Sequence, residues 1–422
     1  MSAALAVYLA ASRLLGPLAP VLLQRRLVRG KEDGTRLGER LGRTARPRPD
    51  GRLVWVHAAS VGEAVSALPL IDAILAQSDA HVLMTTGTVT SAQRMAGNLP
   101  ERAIHQYVPV DTAAAVTAFL SHWRPDMGIW IESELWPRLV VETARRRVPM
   151  AMINARLSAR SAARWGRARA MASGLFGRFD QILTQDTETI DRLATLGVDA
   201  AFAGNLKALA PVPEPDPDEL NRLQTVLAGR PVWLAASTHR GEEEIILAAH
   251  ERVHAQTGAV LILAPRHPER GDEIMQLVAS PGNAVWRRSG GEQPSSDHSI
   301  YVADTLGEMG LWYRLAPVTL VGGSLVDRGG HTPFEPTGCN SAVVHGPHVA
   351  NFAPAYRALS ARMAAVNVDP SAEVVASAVQ DLLMDAAARA EMIKRAQEVH
   401  STLKPDVDTL ATDLLSLMED QA

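Results

Sequence analysis

What most restricts this chain is a recurring pair: a short, wholly apolar, β-favouring run, then a loop of small or polar residues that opens a helix-forming stretch. Leu53 to Glu63, LVWVHAASVGE, shows it most fully. Leu53, Val54, Trp55 and Val56 have the length and bulk of a strand buried on both faces, as strands of parallel sheets are. His57 to Gly62 then carry little side-chain mass. The backbone there can approach a ligand, and the next helix turns its free N–H groups to the same place. Ser60-Val-Gly-Glu63 also matches the S-x-x-E capping box, in which the carboxylate only caps its own helix. Two readings of Glu63 therefore stand, an active-site carboxylate and a cap.

Ala80–Thr86, Met127–Glu132, Pro149–Asn154 and Asp180–Gln185 repeat the apolar run. Between them lie helix-forming stretches such as Asp111–Trp123, with Asp111 as the expected N-cap, and Ser158–Gly177. Alternation on this spacing predicts right-handed βαβ units in a parallel, doubly wound sheet. Ala210 to Asp218, APVPEPDPD, breaks it with four prolines and reads as an extended linker. The alternation then restarts, with strands at Pro231–Ser237, Ala259–Pro265, Pro317–Gly322 and Ser341–His345 and helices at Glu242–Gln256 and Pro268–Ala279. The fold expected is α/β, two Rossmann-like domains with a cleft between their strand ends. The domains are 25–208 and 230–400, joined by a linker at 209–229. A membrane anchor or interfacial helix, 1–24, precedes them, and a helix 401–422 is able to pack back on the first domain.

At 422 residues and 47% hydrophobic content the chain can bury large cores. Its single cysteine, Cys339, excludes an intrachain disulfide framework and suits a reducing compartment, and no export signal is evident, so the expected location faces the cytosol. Charge is uneven: 26 Lys and Arg face 18 Asp and Glu up to Lys207, against 16 and 28 beyond it. Arg25, Arg26, Arg29, Lys31, Arg36, Arg40, Arg43, Arg46 and Arg48 form one basic run, and Arg145 to Arg178 a second with no acid inside it. An anionic partner is implied for the first half. No nucleic-acid module is recognisable, whereas the apolar segment Ala3–Leu23 lies just before the first run, so an anionic membrane surface is the expected partner and nucleic acid is not. Arg13, Pro17 and Pro20 make that segment marginal as a span. It reads as an interfacial helix anchored by the arginines, with an ordinary buried helix as the plainer alternative.

G-x-G-x-x-G, G-x-x-x-x-G-K-[ST], G-x-S-x-G and H-E-x-x-H are all absent, which removes the usual dinucleotide, P-loop, serine-hydrolase and zincin readings. Asp216-Pro-Asp218 sits among linker prolines and is composition, not a metal motif. His57, His239, His267, His331, His345 and His348 fall at strand ends or adjoining loops; only His345 and His348 pair in zinc-ligand spacing, with no Cys partner near, so contacts to a substrate are expected of them and no metal. Gly322 to Glu335, GGSLVDRGGHTPFE, places glycines after a strand and then a helix start, with Thr332 as N-cap, Pro333 first and Glu335 third. This is either a well-capped helix or a phosphate site in which Glu335 accepts from ribose hydroxyls. Arg266 and His267, at another strand end, could add charge to that phosphate.

Val56-His-Ala-Ala-Ser-Val-Gly-Glu63, Glu132-Ser-Glu-Leu-Trp-Pro137, Asn154-Ala-Arg-Leu-Ser158, Gly204-Asn-Leu-Lys207, Ser237-Thr-His239, Pro265-Arg-His-Pro-Glu-Arg270, Gly323-Ser-Leu325, Gly329-Gly-His331 and Gly346-Pro-His348 with Asn351-Phe352 occur in order along nearly the whole chain. As a set they resemble the 3-deoxy-D-manno-octulosonic acid (Kdo) transferases of lipopolysaccharide assembly. The resemblance implies a GT-B glycosyltransferase at the cytoplasmic face of a bacterial inner membrane, moving Kdo from CMP-Kdo to a lipid A precursor such as lipid IVA. It implies inversion and no cofactor or metal. The first domain would take the acceptor lipid and the second CMP-Kdo. Glu63 would be the general base, and Glu132 and Lys207 would assist the transition state. Pro265, Arg266, His267, Gly307, Glu308, Met309, Gly323, Ser324, Thr332, Pro333, Phe334, Glu335 and Asn351 would border CMP-Kdo. Thr332 stands where the family usually has Asn, and Phe334 where it has Leu. A GT-B transferase or epimerase using a UDP-sugar would share the architecture without needing the basic face. A non-catalytic lipid-binding scaffold would need that face but not Glu63, Lys207 or Glu335.

Overall fold

Each apolar run forms a strand in the computed structural model, which describes residues 2–132, 134–210, 214–227, 229–279, 285–291 and 298–419. The first unit, Met1–Ala210 with Lys404–Ala422, holds β1 (Leu53–His57), β2 (His81–Thr86), β3 (Ala103–Tyr107), β4 (Met127–Ile131), β5 (Met150–Ala155), β6 (Gln181–Thr184) and β7 (Ala201–Phe202). Among the described residues these make a seven-stranded sheet in the order β3-β2-β1-β4-β5-β6-β7. Every pairing is parallel. The order reverses between β1 and β4, so the loops after these two strands flank the crevice where α/β sheets place ligands. Gly128 leaves room in β4 for a neighbour, since a Cβ there would lie 2.6 Å from the Trp130 ring. That ring meets Trp55 edge-on at 4.7 Å, filling the core on one face of the sheet.

The second unit, Pro211–Leu403, repeats the plan with β8 (Val232–Thr238), β9 (Val260–Pro265), β10 (Val285–Arg287), β11 (Ile300–Val302), β12 (Val318–Val321), β13 (Ala342–His345) and β14 (Ala365–Asn367). Its order is β10-β11-β9-β8-β12-β13-β14, and its switch point lies between β8 and β12.

The N-terminal segment packs into the first unit. Its first helix, Ala3–Leu14, buries Leu5 and Leu9 in the same core as Trp55. Tyr8 Oη donates to Asp111 at 2.8 Å, and Arg138 Nε to Ser12 Oγ at 2.7 Å. The second helix, Ala19–Val28, adds Leu23 to the interior. Among the described residues no single helix is long and apolar enough to cross a membrane; these two, bent by 48°, are so only as a pair. Val7, Leu14, Leu15, Leu18, Val21, Leu22 and Val28 nevertheless stay exposed. The segment is thus half core and half apolar surface.

Asp111 does not cap the helix that follows it. Thr112 caps Ala113–Trp123, while Asp111 accepts from the backbone N–H groups of Arg138 (3.0 Å) and Leu139 (2.8 Å). The helix Pro137–Arg145 begins after Trp136, which offers no acceptor, so a carboxylate from elsewhere satisfies its first turn. The 209–229 linker is also shorter than the prolines imply. Pro217–Leu227 is a helix with Leu223 and Leu227 buried, its proline at the first position, where the missing N–H costs nothing. Residues 211–213 lie outside the described residues. Ser158–Gly177 is two helices, Ala159–Gly166 and Arg169–Phe176. Near the end, Ala386–Leu403 belongs to the second unit, and Val407–Glu419 buries Leu410, Ala411, Leu414 and Met418 in the first.

Two interior histidines give a test of this packing. Burial holds His57 down to about 4 and His250 down to about 3. The unfolded chain therefore takes up protons first as pH falls. Their contribution to stability is complete above about pH 6.5, the ordinary histidine value, and declines toward pH 4. Imidazole NMR at pH 5.5 should show both rings neutral; a protonated ring in folded protein would contradict the buried placement.

Candidate functional site

In the first unit the loops after β1, β4 and β7 bring four charged side chains together. Ser60 caps the helix Val61–Ser66 by accepting from Glu63 N–H, so the capping box forms. Its return bond goes one residue further back: Glu63 Oε2 accepts from Ala59 N–H at 2.8 Å and Oε1 from Ser60 Oγ at 2.8 Å. Glu63 is therefore a cap, yet it is also 9% exposed beside other acids. Burial pushes its carboxyl above the usual Glu range and the Glu132 carboxylate pushes it the same way, while the Ser60 and Ala59 bonds pull it back and Glu134 adds a smaller push. Glu134 is raised too, chiefly by burial and then by Glu132.

Glu132 ends β4 in a left-handed conformation, φ 60°, and ion-pairs with Lys207 Nζ at 2.6 Å. Asn154 fixes the lysine's segment. At φ 58° it breaks the β5–β6 register, and its Oδ1 accepts from Leu206 N–H at 3.0 Å. The structure thus brings Glu63, Glu132 and Lys207 to one sheet edge and adds Glu134 and Asn154, which the sequence reading did not single out.

In the second unit the organiser is Glu242, absent from the sequence-derived candidates. Its buried carboxylate accepts from four backbone N–H groups: His239 (2.9 Å), Gly323 (2.7 Å), Ser324 (3.0 Å) and Leu325 (2.9 Å). One side chain thereby ties the loop after β8 to the glycine loop after β12. A Cβ on Gly323, at φ +66°, would press to 3.3 Å on the rings of both His239 and His331. Those rings share a hydrogen bond, Nε2 to Nε2 at 2.9 Å. Burial lowers both, His331 to about 4, and each is lowered further by neighbouring cationic groups, Arg266 among them. The exposed Arg266 and His267 follow β9 at the buried Pro265. Here is a basin of donors able to hold an anion.

Several candidates sit differently from their expected roles. Ser324 is fully buried and internally used: its Oγ accepts from Gly346 N–H at 2.8 Å and donates to Val321 O. Phe334 stacks on His400 in the interior. The expected Thr332–Glu335 capping box does not form. The helix spans only Phe334–Gly338 with the buried Pro333 before it, and Thr332 Oγ1 accepts from Phe334 N–H at 3.2 Å. Glu335 instead takes a hydrogen bond from Tyr313, beside Arg266, and burial raises it. Asn351 braces the glycine turn by donating to Arg328 O and Gly330 O. Gly307 and Glu308 line a cavity of about 550 Å³ with Arg288 and Tyr301, and the other donor-side candidates are not among its walls. Met309 opens the helix Met309–Leu315. Arg288 Nε donates to Glu308 at 3.1 Å, so that carboxylate already has a partner.

Residues 35–210 match the family model described as 3-deoxy-D-manno-octulosonic-acid transferase (kdotransferase). The 3-deoxy-D-manno-octulosonic acid transferase of Haemophilus influenzae is 34% identical over 86% of this chain and 87% of its own length. A probable mitochondrial enzyme of the same name from Arabidopsis thaliana is 33% identical over 96% of this chain and 93% of its own. A glycosyltransferase structure from Rickettsia africae superposes with a TM-score of 0.58 at 10% identity, covering 88% of this chain and 99% of that one, a likeness of fold.

Replacing Glu242 by Gln keeps the volume but turns one acceptor into a donor facing backbone donors. Leaving even one buried N–H unmatched costs about 1–3 kcal/mol. Urea unfolding should show Glu242→Gln destabilised by about 2 kcal/mol or more; a change within about 0.5 kcal/mol, the ordinary surface value, would remove the clamp.

Proposed function

Because the chain belongs to the Kdo transferase family, we propose that this GT-B glycosyltransferase moves Kdo from CMP-Kdo to a hydroxyl of a lipid A precursor, lipid IVA, with inversion and without a metal ion. The observation that carries the mechanism is Glu63. It sits at the switch-point crevice, fixed by two donors and raised by burial and by Glu132. A base needs a pKa nearer neutrality than an exposed Glu has, and this setting supplies it. The acceptor hydroxyl gives its proton to Glu63 as its oxygen attacks the anomeric carbon and the bond to CMP breaks. Lys207 holds Glu132 in place, so the carboxylate that strengthens the base is itself paired. On the donor side, the His239–His331 pair, His267 and Arg266 supply N–H donors and positive charge for the phosphate as it departs. Pro265, Gly323 and the Thr332–Glu335 turn border the nucleotide, and Ser324, Phe334 and Asn351 hold that border in shape.

The protein works at a membrane, and we place it on the cytoplasmic face of the inner membrane. Supporting this are the exposed apolar side chains of the two N-terminal helices and the exposed Arg25, Arg29 and Lys31 beside them. Arg26 and Arg40 are spent on Glu32, so only part of the first basic run faces outward.

Glu63→Gln retains an acceptor for the cap but cannot take a proton. Steady-state kinetics with CMP-Kdo and lipid IVA should show kcat reduced by about 10² or more with the melting curve little changed. Activity within about tenfold of wild type would leave Glu63 as a cap alone. Wild-type turnover should fall as pH drops through the raised Glu63 value, which lies above the ordinary 4.3 for Glu. Glu132→Gln removes the like charge and should move that acid limb to lower pH; an unmoved limb would uncouple the two acids.

For the surface, Arg25, Arg29 and Lys31 changed together to Gln should weaken binding to anionic vesicles, each charge contributing about 1 kcal/mol. The remaining affinity should no longer respond steeply to salt; wild-type salt sensitivity in the triple variant would place the docking surface elsewhere.

A further inference from the structure

The first unit contains an unfilled apolar cavity of about 770 Å³ that no step above uses. One wall is Ala11, Leu15, Leu18, Ala19 and Leu22 of the N-terminal helices. The opposite wall is the C-terminal edge of the sheet: Ala59 after β1, Gly87 and Thr88 after β2, and Trp136 after β4. Ala59 is the residue whose N–H holds Glu63, and Trp136 hydrogen-bonds Glu134. The same cavity therefore touches the catalytic loop at one end and the exposed Leu15, Leu18 and Leu22 at the other.

We infer that this cavity binds one acyl chain of the acceptor lipid and so sets which hydroxyl reaches Glu63. The inference rests on the acceptor reading above and extends it to a subsite. Three observations select an acyl chain. The helical wall is aliphatic, the size lies within the roughly 300–1,000 Å³ of small-molecule pockets, and the charged groups at the wall already have partners: Arg26 and Arg40 share Glu32, and Asp111 accepts from Tyr8 and from the N–H groups of Arg138 and Leu139. The exposed Arg25, on the same helix that carries Ala19 and Leu22, and the exposed Arg29 at its C-cap complement the anionic headgroup of the same molecule. An amphiphile with a phosphorylated sugar head and an apolar tail matches that order of surfaces. The chain would also hold the sugar in register with the base, which is how remote binding contributes to turnover.

The test titrates the full-length protein with dodecanoyl- and decanoyl-glucosamine 1-phosphate, below micelle formation, and with glucosamine 1-phosphate, by calorimetry. Each buried methylene is worth about fourfold in affinity, so losing two carbons should weaken binding by about tenfold, and the bare headgroup should bind weakest. Ala11→Trp fills the cavity, and Leu18→Gln makes its rim polar at a position 59% exposed, where folding is not at stake. Both should lower dodecanoyl affinity at least tenfold, with headgroup affinity and Ala11→Trp binding to anionic vesicles unchanged. Affinity independent of chain length, or both variants binding as wild type, would overturn the inference. Equal loss on vesicles would assign the face to the bilayer and overturn it too. If chain-length dependence holds but Glu63→Gln stays active, the base assignment fails and the cavity stands; the reverse pattern removes the cavity alone.

Discussion

Buried carboxylates that bind loop backbone hold this protein's working edges in place. An ionised carboxylate removed from water is costly unless its oxygens meet donors, so wherever one is buried the surrounding N–H groups must come to it. Glu242 gathers four of them from two loops. Asp111 gathers the first turn of the helix Pro137–Arg145 and the Tyr8 hydroxyl of the N-terminal helix. Glu63 gathers Ala59 N–H and Ser60 Oγ. All three sit beyond the C-terminal ends of strands, where no ladder partner remains to fix the chain.

The two half-sites use burial in opposite senses. Around Glu63 it acts on acids: desolvation and the neighbouring Glu132 and Glu134 raise the carboxyl, strengthening it as a base. Around Gly323 it acts on histidines: desolvation and nearby cations lower both His239 and His331, disfavouring their protonated forms. A phosphate would reverse the balance there, since an anion favours the protonated ring. The second unit thus has its positive charge available when a ligand arrives and pays little to hold it beforehand. Charge asymmetry along the sequence conveyed none of this. The whole second half is net acidic, yet its anion basin is locally basic.

How legible the fold was depended on burial. The runs read as strands, from β1 to β13, are those buried on both faces, where side-chain chemistry alone reports the environment. β3, β7, β10 and β14 were not read because they are edge strands with partly exposed residues, and β11, though buried, is only three residues long. Ala103-Ile-His-Gln-Tyr107 carries polar residues, and Ala201–Phe202 is short and exposed. At the sites, motif order located Glu63, Glu132, Lys207 and Arg266 because each lies within a strand-to-loop junction. Glu242 escaped because three of its four partners are backbone N–H groups 81 to 83 residues away, and no residue type records them. Thr332 to Glu335 misled for a related reason. The spacing is that of a capping box, but Tyr313 offers Glu335 a buried hydroxyl and the box does not form. Likewise the N-terminal segment carries the composition of an anchor, and its place in the core shows only in the burial of Leu5, Leu9 and Leu23 and in the Tyr8–Asp111 and Arg138–Ser12 bonds.

Backbone strain separates structural from functional positions with no reference to motifs. Among the described residues, seven non-glycine positions have positive φ: Arg124, Glu132, Arg147, Asn154, Ser237, Asn340 and Met363. Arg124 caps the end of Ala113–Trp123, and Arg147, Asn340 and Met363 each follow a helix C-cap, where a left-handed residue is ordinary. The other three stand at strand ends: Glu132 after β4, Asn154 late in β5 and Ser237 late in β8. Asn154 and Ser237 coincide with register shifts in their sheets. A strained residue costs about 1–3 kcal/mol and persists only where its surroundings determine it. Asn is the residue most tolerant of that conformation and its side chain anchors Leu206, so its presence has a local reason. Glu has no such tolerance. At position 132 a glycine would relieve the backbone but lose the ion pair to Lys207 and the charge that raises Glu63. The strain at Glu132 is therefore the cost of holding a carboxylate that pairs with Lys207 and raises Glu63.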